Sequence, residues 1–517
     1  MAALWPYEEA EKIKKNLKPG VKTVIFQAGF GPSGLPHVGT FCEVSRPTFV
    51  RKAFMKISDI PTRLIAFCDD MDGLRKVPLN FPNRESIEPH LGKPVVDIPD
   101  PFGCCASFAL HNENKLQGFL DSYGFDYEFK SSAAEYRNGV FNAGLVKTLE
   151  NVEKIRNIII PTMQKEGREH WSPFMPVCEQ CGRNLTTRVT AYFPDRQELE
   201  YVCDTPVSDK VKGCGHKAVT SVLDGRVKLG WKADWALRWH AYGVHYEMYG
   251  KDLIESFGLS KKIVRVLGGR EPDNYFFELF LDEEGAKISK SVGKGLTMDT
   301  WMNYAPLEAL SYFMFQNPRK AKKFHMDIIP KTVDEYLSFL RSYYHAAPDA
   351  RSSNPLVFIH DDLDTKKIFD SEITYSLVNN LISALGTEDA AVVMDYIFGY
   401  DPGAREYEAF IRNLVERALN YYRDEILPNK KFKTPSPEEK QLLQVLVSKL
   451  EAETSVEADA FQSRVFETAK ENNVEPRAFF TLLYETLFGQ QSGPKIGSFI
   501  KLIGKGEFLK KVKDLIG

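Results

Sequence analysis

Glycine, proline and histidine crowd one stretch, AGFGPSGLPHVGT at 28–40, directly behind the apolar run VKTVIFQ. Glycines let a backbone come close to a ligand, and a helix start behind them offers unpaired N–H groups and the positive end of a dipole. Such a turn binds anions, phosphate above all. Gly29, Gly31 and Gly34 also spell G-x-G-x-x-G, which on its face points to a dinucleotide. That reading needs an acid about 20 residues on, at the end of the second strand, to hold a ribose. Here the position falls near Phe54, inside a helical pattern, while the second strand's acids come later, at Asp69 and Asp70, and Pro32 interrupts the glycines. The turn reads instead as a triphosphate cradle, with His37 at the helix start donating to a phosphate oxygen.

A second stretch supplies the complementary chemistry. EGAKISKSVGKG at 284–295 is a glycine-flanked loop carrying Lys287, Ser289, Lys290 and Ser291, with Lys294 behind them. Ammonium groups in such a loop follow negative charge as it moves onto departing pyrophosphate, the stabilisation that nucleotidyl transfer requires. Of the eight cysteines, Cys178, Cys181, Cys203 and Cys214 cluster, beginning with C-x-x-C, while Cys42, Cys68, Cys104 and Cys105 are scattered through apolar or turn contexts. Four thiolates close a tetrahedral structural zinc site with no open position, the second knuckle being stretched by DTPVSDKVKG. His216 is the alternative fourth ligand. One metal cluster without a disulfide framework suits a reducing compartment.

These groups must be positioned by several domains, because 517 residues exceed one hydrophobic core and the 43% hydrophobic content suffices for more. VKTVIFQ, a helix from about Phe41 to Ile57, and TRLIAF ending in CDDMDG form a strand–helix–strand unit of a parallel α/β domain. From 78 to 225 the pattern loosens into a large insertion, IVRVLGG at 263–269 reads as a returning strand, and beyond about 300 helical periodicity dominates. TPSPEE at 434–439 places Ser436 as N-cap and Pro437 at the first helical position. The net charge of −3 excludes whole-molecule attraction to nucleic acid, leaving NPRKAKKFH, NKKFK and the tail from Lys495 as the basic places. MAALWPYEEAEKIKK lacks a signal-peptide core, and no apolar run approaches the ~18 residues of a membrane span, which places the chain in the cytoplasm, away from membranes.

GPSGLPHVGT resembles the HIGH motif of class I aminoacyl-tRNA synthetases and KISKS their KMSKS motif, in the right order around an insertion. DDMDGLRKVP, IPDPFG, PVCEQCGR, WKADWALRW, GKD at 250–252 and GQQSGPKIGSFI are similar, more narrowly, to blocks of the class I lysyl-tRNA synthetases, over 23–517. The resemblance implies a Rossmann-type α/β catalytic domain, an inserted connective region containing the zinc ribbon, and an all-α C-terminal anticodon-binding domain. The halves of the catalytic domain would occupy 1–77 and 226–300, with the insertion at 78–225 and its zinc module at 176–220. A stem-contact helical region would follow at 301–355 and the anticodon-binding domain at 356–517.

The implied activity is lysine–tRNA ligation with L-lysine, ATP, Mg2+, structural Zn2+ and tRNA(Lys), by a monomer. His37, Lys287 and Lys290 would be catalytic. ATP contacts would fall on Pro32, Ser33, Gly34, His37, Gly39, Thr40, Lys287, Ser289, Lys290 and Ser291. An acid must face the lysine ammonium. Candidates are Glu43 and the acids Asp69, Asp70 and Asp72, with Gly29, Gly31, Trp235, Trp239 and Tyr275 lining the amino-acid pocket by resemblance. Three positions depart from the pattern: Thr40 replaces a second histidine, Leu253 a histidine after GKD, and SVGKG the usual SKGN. Other readings are a class I synthetase for another amino acid, a nucleotidylyltransferase, or a tRNA-binding paralogue with weakened catalysis.

Overall fold

The computed structural model describes residues 4–79, 81–165, 168–288, 296–363, 368–491, 493 and 495–517. The chain divides into two compact units, Met1–Met298 with Met314–His325, and Asp299–Phe313 with Met326–Gly517.

The first unit is built on a five-stranded sheet. Its strands are β1 (Val24–Phe30), β2 (Thr62–Cys68), β3 (Glu128–Ser131), β4 (Tyr246–Gly250) and β5 (Asp273–Phe277), in the order β5-β4-β1-β2-β3. Every pairing is parallel, with β1 and β2 in register from Val24 opposite Thr62 to Phe30 opposite Cys68. Strands covered on both faces read as near-continuous apolar runs. VIFQAGF does so, and even its Gln27 is fully buried. From β1 the chain runs outward to β2 on one side, while β4 lies on the other. The order therefore reverses between β1 and β4, where open α/β sheets bind ligands beyond the carboxyl ends of the strands.

Helices α1 (Trp5–Asn16), α2 (Val38–Ile57), α3 (Phe108–Ser122), α4 (Trp231–Tyr242) and α5 (Ile254–Val266) belong to this unit. The strand expected at 263–269 is instead the end of α5. Phe257, Ser260, Ile263 and Val264 are buried at three- and four-residue spacing, so the Ile-Val pair belongs to a helical stripe. Gly268, at φ +76°, then closes the helix, and the Gly269 N–H donates to the Val264 carbonyl at 2.8 Å. The fourth strand of the parallel sheet is YEMYG, just upstream. β3, which joins the sheet edge, comes from within 78–225. The same span carries a three-stranded antiparallel sheet, Thr187–Phe193, Glu198–Cys203 and Lys217–Ser221.

The second unit is helical over long stretches, including Ile328–His345, Glu408–Tyr421, Pro437–Ala452, Ala458–Glu471 and Pro476–Leu487. Ser436 caps its helix as expected: its Oγ accepts the Glu439 N–H at 3.2 Å, and Glu439 Oε2 accepts the Ser436 N–H at 2.9 Å. Among the described residues no helix is long and apolar enough to cross a membrane.

Candidate active site

A cleft of about 570 Å³ opens at the carboxyl ends of β1 and β4. Gly29, Gly31, Ser33, His37, Gly39, Thr40 and Glu43 line it from the glycine turn and α2. Asp69, Asp72 and Lys76 come from the segment after β2, Asp252 and Leu253 from the turn after β4, and Lys287 from the signature loop. Two motifs separated by some 250 residues thus face one volume.

His37 is the N-cap of α2. Its Nδ1 accepts the backbone N–H of Gly39 at 2.8 Å and of Thr40 at 3.4 Å, and Thr40 Oγ1 accepts the His37 N–H at 3.4 Å. Thr40 therefore completes a reciprocal cap, which gives this departure from the pattern a structural role. With Nδ1 accepting, the ring proton sits on Nε2, the nitrogen able to donate to phosphate. A Cβ at Gly39 would lie 2.6 Å from His37 Cε1, so a side chain there displaces the ring.

The described part of the signature loop ends at Ile288, and Ser289, Lys290 and Ser291 lie outside the described residues. Lys287 Nζ lies 2.5 Å from Asp252 Oδ2, both side chains about half exposed. Gly285, at φ +87°, makes the preceding turn, in which Asp282 accepts from the Ala286 N–H at 2.8 Å.

A buried charge network that sequence reasoning missed underlies the cleft. Arg238 on α4 pairs with Asp69 and with Asp234. Lys228 Nζ sits 2.7 Å from Asp72 and 3.5 Å from Asp234, and Tyr136 donates to Asp234 at 2.5 Å. Burial pushes Asp69 up to about 7 against the pull of Arg238. Asp234 and Arg238, opposite charges four residues apart in WKADWALRW, carried the sequence signal for its α4 part.

The expected aromatic walls are placed differently. Trp235 and Trp239 are buried in the core, where their indole N–H groups donate to Glu247 at 2.9 and 2.5 Å. Gln27 adds a third donor at 3.0 Å, and burial pushes Glu247 up to about 7. These tryptophans support the cleft floor, because a Cβ on Gly29 would stand 3.5 Å from Arg238 and 3.9 Å from Glu247. The indole that reaches the cleft is Trp231, stacked on Trp235 at 4.8 Å. Tyr275 lies between Trp5, at 5.8 Å, and the Arg319 guanidinium, 4.0 Å over its ring, and is not part of the cleft lining. Asp70 also turns away. It accepts the Ser131 hydroxyl and, at 2.7 Å, the Ala133 N–H, with its carboxyl raised by burial. Pro32 and Gly34 line a small adjoining cavity, together with Gly31 and Asn112.

Sulfurs of Cys178, Cys181, Cys203 and Cys214 converge within 4.8 Å of one another, at 3.6 Å for Cys178–Cys214 and 3.7 Å for Cys181–Cys203. Those are the edges of a tetrahedron with bonds of about 2.3 Å, the length of a zinc–thiolate bond. Four thiols meet without His216.

The family model of tRNA synthetases class I (K) matches residues 3–362, and that of an anticodon binding domain matches 406–516. The chain belongs to the class I tRNA synthetases. A relative of this synthetase, the lysine–tRNA ligase of Rickettsia bellii, is 40% identical over 518 residues, covering 99% of this chain and 97% of its own. The lysine–tRNA ligase of Rickettsia conorii is 41% identical over 516 residues, with 98% and 97% covered. A solved glutamate tRNA ligase of Elizabethkingia meningosepticum, in complex with its amino acid, covers 95% of the synthetase and 99% of its own chain at 13% identity and a TM-score of 0.38, too distant to bear on the site.

Proposed function

We propose that this synthetase is a lysine–tRNA ligase that activates L-lysine with ATP and transfers it to the terminal ribose of tRNA(Lys). The observation that carries the reading is the cleft itself, with His37 and Lys287 facing the same volume as Glu43, Asp69 and Asp72. Cationic and N–H donors suit a triphosphate, and carboxylates suit a side-chain ammonium.

In the first step an oxygen of the lysine carboxylate bonds to the α-phosphorus and the bond to pyrophosphate breaks. That carboxylate is ionised near neutral pH, so no side-chain base is required. His37 Nε2–H and the α2 N-terminus hold phosphate oxygens, while Lys287, with Lys290, Ser289 and Ser291, accompanies the charge to pyrophosphate. Magnesium bound with ATP supplies further neutralisation. Gly29 and Gly31 leave room for the amino acid over the Arg238–Glu247 floor. In the second step a ribose hydroxyl attacks the activated carbonyl and AMP departs. The four cysteines fit structural zinc, the helical C-terminal region reads the anticodon, and the protein works as a cytoplasmic monomer.

Pyrophosphate exchange with each of the twenty amino acids, followed by charging of purified tRNA, tests this. Exchange with lysine alone, plus charging, is the expected result. Exchange with another amino acid selects a different synthetase, and tRNA binding without exchange selects the paralogue.

A further inference from the structure

Two stretches of the second unit that look unrelated in sequence, NKKFK at 429–433 and GQQ at 489–491, meet at one place. The Lys431 N–H donates to the Gly489 carbonyl at 2.9 Å, and the Lys433 N–H donates to the Glu485 carbonyl at 3.1 Å. Phe432 is thereby pinned between two backbone bonds to the end of the helix Pro476–Leu487 and the turn behind it. Gly489 stands at φ +67°, and a Cβ there would lie 3.2 Å from the Lys431 nitrogen and 3.4 Å from Phe432 Cδ2, so the segment rests on bare backbone.

Held in this way, Phe432 is 61% exposed, the most exposed aromatic residue among those described. It does not sit at the tip of a loose loop. Lys430 Nζ donates to the Ser383 carbonyl at 2.7 Å and to the Tyr422 hydroxyl at 3.2 Å, and lies 5.5 Å from the centroid of the Phe432 ring. On the other side Pro435 is buried and Ser436 starts the next helix. The frame fixes the backbone before and after Phe432 and leaves its ring in water, where covering that apolar surface is favourable.

What covers the ring follows from its surroundings. Lys431 is exposed beside it, and the two acids close by, Glu439 and Glu485, face Lys433 at 2.6 and 4.0 Å. The local field therefore favours an anion such as a phosphate. Gln490, half-buried, and the exposed Gln491 follow Gly489 and carry amide donors and acceptors of the kind that read base edges. A held aromatic ring, a cation for phosphate and amides for base edges together match an unpaired base on a sugar–phosphate chain. We propose that Phe432 is a stacking platform for an unpaired base of the tRNA anticodon loop, with Lys431 on a neighbouring phosphate and Lys430 holding the segment in place. The proposal rests on the reading that the helical C-terminal region receives the anticodon.

Full-length wild type, Phe432→Ala, Phe432→Leu and Phe432→Trp are compared for binding of transcribed tRNA(Lys), of its anticodon stem-loop and of an acceptor-stem minihelix over a range of salt, beside lysine-dependent pyrophosphate exchange. Phe432→Ala and Phe432→Leu are expected to weaken tRNA and stem-loop binding about tenfold, with salt slopes parallel to wild type, because stacking releases no counterions. Phe432→Trp keeps the affinity, and the stem-loop quenches the fluorescence that this substitution adds. Minihelix binding and exchange stay at wild-type values in all three. Wild-type affinity for tRNA in Phe432→Ala overturns the platform, and so does wild-type affinity in Phe432→Leu, which would point to an apolar contact in place of a base. Self-association of the wild type that disappears in Phe432→Ala, with tRNA binding unchanged, would assign the ring to a second copy of this chain and overturn it as well. If wild type charges no tRNA while stem-loop binding depends on Phe432, the ligase reading fails and the platform stands. If charging is intact and stem-loop binding is independent of Phe432, only the platform fails.

Discussion

Lys287 Nζ rests 2.5 Å from Asp252 Oδ2, joining the first lysine of the signature loop to the turn that follows β4. Both side chains are about half exposed, so the pair is worth no more than ~1 kcal/mol and is readily exchanged for a phosphate oxygen. The contact holds the ammonium at the cleft mouth while leaving it able to move. Replacing Lys287 with Ala is expected to slow lysine-dependent pyrophosphate exchange about 10- to 100-fold, the effect of losing a charge-assisted hydrogen bond in the transition state. Lysine KM should stay nearly unchanged. An unaltered exchange rate would remove Lys287 from the mechanism.

Gly39→Ala tests the histidine cap. The added Cβ would stand 2.6 Å from His37 Cε1, so the ring must swing and its Nδ1 must give up the bonds to Gly39 and Thr40. A lost N-cap costs about 1 kcal/mol of stability. ATP KM is expected to rise about tenfold, as one donor leaves the phosphates. Calorimetry and exchange kinetics read the two effects, and wild-type ATP KM in this variant would show that His37 does not serve the nucleotide.

Glu247 gives a pH dependence of definite sign. Its folded value is pushed from the usual 4.5 up to about 7 by burial. Between those pH values the folded protein holds a proton that the unfolded chain has released. Stability therefore falls as pH rises through this window and levels off above it. Burial likewise pushes Glu113 and Asp69 up to about 7, with the same sign. Glu247→Gln should thus show a smaller fall in Tm between pH 5 and 8 than wild type. Parallel curves for the two proteins would mean that Glu247 does not change its protonation on unfolding.

Cys178→Ser should lose zinc from the four-cysteine cluster and lower Tm, because a structural zinc site contributes folding energy directly. Cys203 ends one strand of the three-stranded sheet, so protease sensitivity is expected to rise around Thr187–Ser221. Wild-type metal content and an unchanged digestion pattern would refute this role.

Binding to tRNA should weaken linearly on a log–log plot against salt, since single-stranded loops are held by phosphate contacts as well as by stacking. Replacing the exposed Lys431 with Ala should flatten the slope by about one without changing lysine-dependent exchange. A slope identical to wild type would place the phosphate contacts elsewhere.

The chemistry of this protein was largely written in short local patterns. A glycine turn after an apolar strand, a lysine-serine loop and four clustered cysteines each need only neighbouring residues to be recognised. Ser436 and Pro437 likewise announced a helix start that the structure contains. Tertiary structure decided what local patterns leave open. IVRV is rich in β-branched residues yet helical, because its buried face matches a helix packed on α4 and on the helix Val152–Ile159. Trp235 and Trp239 have the composition of a pocket wall, but a buried carboxylate, Glu247 on β4, draws both indole N–H groups inward and leaves Trp231 at the cleft. Asp69 and Asp70 are adjacent, but successive residues leave a strand end in opposite directions. One meets Arg238 beneath the cleft and the other meets Ser131 away from it. Which acid faces a ligand is set by where a strand stops and what packs behind it, and both are properties of the assembled sheet.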